Sequence, residues 1–274
     1  MLRIAVCQLP LNIENLNENI DLANTAIHEA ASRGAKLIVL PELTNSGYAF
    51  RNIAELEERA TTIDGALLKE WVAFAKRLEV VLVAGLAIKE SGCFYSSSVV
   101  IDSTGFRGWY KKVHLWNDEI DFFTPGKETP LIVDTSIGRI ATMVCYDLEF
   151  PEWVRMAMLA DATILAIPTN WPDSGLPMEP TPLEAVRAQA AAAQNKLIVA
   201  AADRTRTERG VAWTASSVVV DGNGVIRVIA DRNKLNEIQI LVADVEVPTD
   251  RKISARNDVR TDRRPDLYQK ILDR

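Results

Sequence analysis

Cysteine, histidine and long apolar runs are all scarce in this chain, and each scarcity excludes a class of protein. The three cysteines, Cys7, Cys93 and Cys145, are odd in number and widely spaced, which excludes a disulfide framework or a four-thiolate metal site and points to a reducing compartment. Only two histidines, His28 and His114, are present, too few for a histidine-rich zinc or iron site; counting leaves carboxylate-held magnesium open. The opening MLRIAVCQLP is too short an apolar stretch for a signal core or membrane span, and no later run reaches the roughly eighteen residues a span requires. A cytoplasmic protein with no membrane partner is expected. No glycine-rich phosphate loop or ligand cluster is present, which agrees with an expectation of no cofactor.

Excess positive charge is also missing. The formal net charge is -6 at pH 7, which argues against a nucleic-acid partner, since such proteins concentrate basic charge on one face. The main basic cluster, Arg251 to Arg264, is interrupted by Asp258 and Asp262 and reads as a solvated or subunit-contact tail.

What the chain does contain is a core. With 274 residues and 48% hydrophobic composition it can bury a full interior, and no linker or repeat divides it, so a single domain over 1–274 is expected. LRIAVCQL reads as a strand, residues 15 to 34 as a helix stopped by Gly34, and AKLIVLPE as a buried strand. Residues 64 to 78 read as a second helix with Asp64 as its cap and Leu67, Leu68, Trp71, Phe74 and Leu78 as its buried stripe, followed by the strand VVLVAGLAI. Hairpins follow, FYSSSVVID with FRGWYKKV and then LIVDTSIGRIATMVCYD, and a helix begins near Pro151. The strand ATILAIP leads into a loop carrying Pro168, Pro172, Pro177 and Pro180. The next helix is predicted with Thr181 as its cap, Pro182 at its first position and Glu184 completing a capping box. Two more hairpins, one turning at DGNG, are expected to finish a four-layer α-β-β-α sandwich of two mixed sheets with helices on the outer faces.

Three polar residues interrupt apolar strands where chemistry could sit. Cys145 lies at the tip of a strand just before a helix start, a place where layered folds present side chains to a cleft, whereas Cys7 and Cys93 read as structural thiols. Glu42 directly follows LIVLP; partial desolvation there would raise its pKa toward that of a general base. Lys111 and Lys112 point to opposite sides of one strand, so one is expected in solvent and the other inward, where a carboxylate and a developing oxyanion would stabilise it. Glu119, seven residues on, is placed to close the pocket. His114 is a competing partner for the cysteine, because histidine is the commoner base in cysteine hydrolases.

The segments PELTNSGY, YKKVHL, DEIDFFTPG, CYDLEFPE and RRPDLY occur in this order, with 70 residues between Glu42 and Lys112 and 33 between Lys112 and Cys145. Together they resemble the nitrilase, or carbon-nitrogen hydrolase, superfamily over essentially the whole chain. The resemblance implies Glu42 as general base, Lys112 as the triad lysine, Cys145 as nucleophile and Glu119 as a second glutamate orienting substrate, with His114 structural. It also implies the α-β-β-α fold, a homodimer or higher homo-oligomer, and hydrolysis of a small amide to acid and ammonia through a thioester.

Tyr146 and Asp147 after the cysteine are similar to the amidase-like and carbamoylase-like branches rather than to nitrile hydrolysers. Tyr48, Tyr146, Asn170 and Trp171 are assigned to the substrate pocket, Asn170 and Trp171 because they follow a strand that should neighbour that of Cys145. Arg187 could meet a substrate carboxylate or be held by a surface partner such as Glu184. A small monocarboxylic amide leads as substrate and an N-carbamoyl compound follows. A non-catalytic binding protein built on the same fold is the alternative of another class.

Overall fold

The computed structural model describes residues 1–175 and 181–271. The predicted Pro177 and Pro180 lie outside the described residues. The chain opens with β1 (Leu2–Gln8), α1 (Leu16–Ser32), β2 (Leu37–Val39), α2 (Ile53–Arg59) and α3 (Ala66–Leu78), followed by β3 (Val81–Glu90), β4 (Cys93–Asp102) and β5 (Gly105–Lys111). Then come β6 (Leu131–Thr135), β7 (Gly138–Thr142), α4 (Pro151–Leu159), β8 (Ile164–Pro168) and α5 (Leu183–Asn195), and finally β9 (Ile198–Ala202), β10 (Val218–Val220), β11 (Ile226–Ile229) and β12 (Gln239–Val245).

These strands form two six-stranded mixed sheets among the described residues, in the orders β12-β1-β2-β3-β4-β5 and β11-β10-β9-β8-β7-β6. In the first sheet β1, β2 and β3 run parallel; in the second, β7, β8 and β9 do. Strand alternation assigns each face its core. In β1, Ile4 and Val6 pack between the sheets with Val39, Val83, Ile140, Ile164 and Ala200, while Ala5 and Cys7 face Ala26, Ile27, Leu68 and Trp71 of α1 and α3. On the far side Val154 and Met158 of α4 and Ala188 and Ala192 of α5 cover Leu165, Ile167 and Val199. The result is the expected α-β-β-α sandwich. It also explains why the parallel strands are apolar without alternation: both of their faces are buried.

Several local expectations are corrected. Helix α3 is capped by Gly65 without a side-chain bond, because the Asp64 carboxylate accepts from the Thr62 hydroxyl at 2.6 Å instead. Helix α5 begins at Leu183 with Pro182 as its cap residue, its ψ of 142° still extended, so Thr181 does not cap it. The last strands are not two hairpins. Strands β9, β10 and β11 form a meander, whereas β12 crosses to the first sheet and runs antiparallel to β1 from Leu2↔Val245 to Gln8↔Gln239. Among the described residues no helix is long and apolar enough to cross a membrane.

Candidate active site

Glu42 leaves the end of β2 where the two sheets approach each other. Its backbone N–H donates to the Thr169 carbonyl beyond β8 at 3.2 Å, a bond that spans the sandwich. Its side chain is fully buried. Oε1 accepts from Lys112 Nζ at 2.9 Å and from the Ser96 hydroxyl at 2.9 Å, while Oε2 is buried with no hydrogen-bond partner among the described residues. Burial pushes the Glu42 carboxyl up to about 7, assisted by the Glu119 charge and opposed by Lys112 and the Ser96 bond.

Lys112 follows β5 and its backbone N–H still pairs with the Ser96 carbonyl of β4 at 2.8 Å. The strand geometry divides the lysine pair as expected: Lys111 lies half-exposed against Glu90 at 2.6 Å, and Lys112 is completely buried. Its ammonium donates to Glu119 Oε1 at 2.7 Å as well as to Glu42. Burial opposes the charge, but the neighbouring carboxylates outweigh it and hold the Lys112 pKa above its ordinary value. Glu119 sits in a short 3-10 turn, Asn117–Asp121, where Oε2 accepts the Trp116 N–H at 2.9 Å and Oε1 also accepts the Tyr48 hydroxyl at 2.9 Å. Tyr48 therefore belongs to the charged cluster itself.

Cys145 is displayed by a strained turn. Its φ is +47°, in the left-handed region that costs a non-glycine residue on the order of 1 kcal/mol, and it opens the 3-10 turn Cys145–Glu149, which begins three residues past the end of β7. Asp147 holds this turn. Its Oδ2 accepts the Val144 N–H at 3.0 Å and the Tyr110 hydroxyl at 2.8 Å; its Oδ1 accepts the His114 N–H at 3.0 Å and meets His114 Nδ1 at 2.6 Å. The His114 ring also stacks on Phe150 at 3.7 Å. Asp147 thus takes Nδ1 and Phe150 covers one ring face, while the charges that act on the Cys145 thiol are those of Glu42, Lys112 and Glu119, which favours Glu42 over His114 as its partner. Cys145 is 4% exposed, and its thiol receives the Asn170 backbone N–H. Burial raises its pKa well above the ordinary value, with Glu42 and Glu119 reinforcing that effect and Lys112 and the Asn170 N–H opposing it.

The remaining predicted residues separate. The Asn170 side chain is buried with both polar atoms unpartnered among the described residues, and Trp171 packs in the apolar cluster that contains Cys145 and Ala188. The Trp171 N–H is held by Asp203 at 3.0 Å; burial raises that carboxyl to about 7 despite the hydrogen bonds it accepts. Tyr146 sits half-buried, edge-on to Trp116 and Phe150. Arg187 pairs with Glu149 at 2.8 Å and lies 3.8 Å from Glu184. Sequence reading missed Ser96 and Asp203, and it noted Asp147 as a mark of the branch without its part in holding the turn. For Ser96 a signal existed, since three consecutive serines in an otherwise apolar strand must satisfy their hydroxyls inside the sandwich.

A buried carboxylate, ammonium and thiol gathered where two facing sheets end is an arrangement suited to acyl transfer. The chain belongs to the carbon-nitrogen hydrolase family, whose model matches residues 3–253. It is 31% identical to a nitrilase of Pyrococcus abyssi, over 98% of this chain and 99% of that protein. It is likewise 31% identical to a citrullinase of Francisella tularensis, over 99% of this chain and 98% of that one. Among solved structures, an amidase from Nesterenkonia sp. matches with a TM-score of 0.80 and 25% identity, covering 98% of this chain and 96% of its own. A mutant of the amidase from Nesterenkonia sp. AN1 in complex with butyramide matches at 0.74, with 25% identity over 89% of this chain and 90% of its own.

Proposed function

We propose that the protein hydrolyses a small linear amide to a carboxylic acid and ammonia, with Cys145 as nucleophile. Glu42 Oε2, unpartnered among the described residues, carries this reading. Lys112 and Ser96 occupy Oε1, which leaves one buried carboxylate oxygen, with a pKa near 7, to take a proton beside the thiol.

Glu42 removes the Cys145 proton as sulfur attacks the carbonyl carbon. The carbonyl oxygen becomes an oxyanion held by the Lys112 ammonium and the Tyr146 N–H, the latter at the open N-terminal end of the 3-10 turn. When the carbon–nitrogen bond breaks, Glu42 returns its proton to the leaving nitrogen, and ammonia departs from the thioester. Water then gives a proton to Glu42 and attacks the acyl carbon, releasing the acid and restoring the thiol. Glu119, bonded to both Lys112 and Tyr48, holds the ammonium in place and accepts from the substrate amide.

The close packing around Cys145, 4% exposed, favours a short acyl group, and the butyramide complex of the Nesterenkonia amidase supports an aliphatic amide. A ureido substrate is the second reading, favoured by the citrullinase relative, since its terminal carbonyl and NH2 present the same atoms to the site. Ammonia release from aliphatic amides, ω-amides, N-carbamoyl compounds and nitriles, measured for wild type and Cys145→Ala, tests both. Release from amides that the substitution abolishes is the expected result; release that survives it refutes the assignment.

A further inference from the structure

A second buried carboxylate holds the backbone next to the charged cluster. Glu208 is 3% exposed, and its Oε1 accepts two backbone N–H groups, those of Tyr48 and Ala49, each at 2.6 Å. Its Oε2 accepts Arg204 Nη2 at 2.6 Å, and the same nitrogen donates to the Leu11 carbonyl at 2.6 Å. Arg204 is fully buried, with its guanidinium 4.6 Å from the Trp213 ring; that ring in turn meets Tyr48 edge-on at 5.0 Å. Glu208 is itself fixed by a paired bridge to Val211, with backbone bonds of 2.9 Å in both directions. The loop before Tyr48 passes close by: Gly47 has φ +74°, and a β-carbon there would lie 2.7 Å from Ile13 Cα and 3.0 Å from Glu208 Oε2.

The chain of contacts therefore runs from Arg204 through Glu208 to the Tyr48 backbone, then from the Tyr48 hydroxyl to Glu119 Oε1, and from there to the Lys112 ammonium. A buried ion pair contributes little net stability compared with well-packed apolar residues. Its main output here is geometric, because two charge-assisted bonds on one oxygen set where the Tyr48 ring begins. We propose that Glu208 is a positioning residue for the reaction, acting through the Tyr48 hydroxyl to fix Glu119 and thereby the Lys112 ammonium. This rests on the amide-hydrolase reading of Cys145.

A double-mutant cycle tests it. Glu208→Ala, Glu208→Gln, Tyr48→Phe and the corresponding double variants are compared by kcat and KM on the amide that wild type hydrolyses. The rate of Cys145 alkylation by iodoacetamide, quantified by peptide mass spectrometry, is measured on the same variants and does not depend on knowing the substrate. Glu208→Ala is expected to lower kcat about thirtyfold and Glu208→Gln, which keeps an acceptor oxygen, about fivefold, with KM moving less than about threefold. In the Tyr48→Phe background either Glu208 change should cost less than about twofold more, since the hydroxyl it positions is gone.

The alkylation rates are expected to show the same non-additivity. Unchanged kcat in Glu208→Ala, or effects that multiply across the two sites, overturns the proposal. If Glu208→Ala yields no cooperative thermal melt, the Glu208→Gln cycle decides by the same criterion. If wild type hydrolyses no amide, the amide-hydrolase reading fails separately and the alkylation cycle still decides the coupling of Glu208 to the thiol.

Discussion

Gly85 of β3 lies so close to Glu42 that a β-carbon on it would sit 2.3 Å from the Glu42 α-carbon, 2.5 Å from the Pro41 carbonyl oxygen and 2.8 Å from Pro168 Cβ in the opposite sheet. Glu42 is therefore held at a point where the sandwich leaves position 85 no room for a side chain. Gly85→Ala is expected to push Glu42 from its place. A displacement of about 1 Å costs on the order of a hundredfold in kcat, and overpacking costs about 1–3 kcal/mol of stability. Steady-state kinetics and urea unfolding of the variant check both; wild-type activity would contradict the packing argument.

The Glu42 carboxyl, with its pKa raised to about 7 by burial, must be ionised to act as base. The ratio kcat/KM is expected to fall about tenfold per pH unit below that value and to level above it. Burial keeps Cys145 protonated at rest, so iodoacetamide alkylation of Cys145 should follow the same acidic limb. An alkylation rate independent of pH between 5 and 8 would instead indicate a preformed thiolate.

Stability should carry the opposite pH signature. The folded-state pKa of Glu42, about 7, lies above its ordinary value of 4.5, so the folded protein binds the extra proton between those values. Its contribution is full below about 4.5 and is lost as pH rises through about 7, a difference on the order of 3 kcal/mol. Glu42→Gln removes this titration and leaves Lys112 paired with Glu119. Urea midpoints at pH 5 and pH 8 should therefore show the variant gaining on wild type at the higher pH. A gap between the two proteins that stays constant would refute the linkage.

His114 and Asp147 provide a test of which residue is the base. Because the charges acting on the Cys145 thiol are those of Glu42, Lys112 and Glu119, His114→Asn is expected to keep the acidic limb near pH 7 while lowering activity less than about tenfold. Asp147→Ala, which strips partners from the Val144 N–H and the Tyr110 hydroxyl, should cost about 3 kcal/mol or more and release the strained turn at Cys145. Loss of the acidic limb in the histidine variant would return that residue to the role of base.

Arg187 is satisfied by Glu149, so Arg187→Ala should leave the ratio of activities on carboxylate-bearing and neutral amides unchanged. The same substrate panel measures that ratio. A selective loss on carboxylate substrates would show that the arginine leaves Glu149 to meet them.

The parts of this protein legible in its sequence are those written within single elements. Unbroken apolar runs marked the parallel strands buried on both faces, helical spacing marked α1 and α3, and the ordered motifs around Glu42, Lys112 and Cys145 marked the residues that the fold gathers. Alternation put Lys111 and Lys112 on opposite sides, and the structure decided that Lys112 is the buried one. Tertiary structure alone decided the rest: that Ser96 and Lys112 fill one oxygen of Glu42 and leave the other open, that Asp147 claims His114, that Glu208 reaches Tyr48 across 160 positions, and that β12 returns to β1. The physical reason is the range of the signal. Periodicity reports which face of one element is apolar, whereas a hydrogen bond between sheets depends on register, twist and the distance at which two layers come to rest.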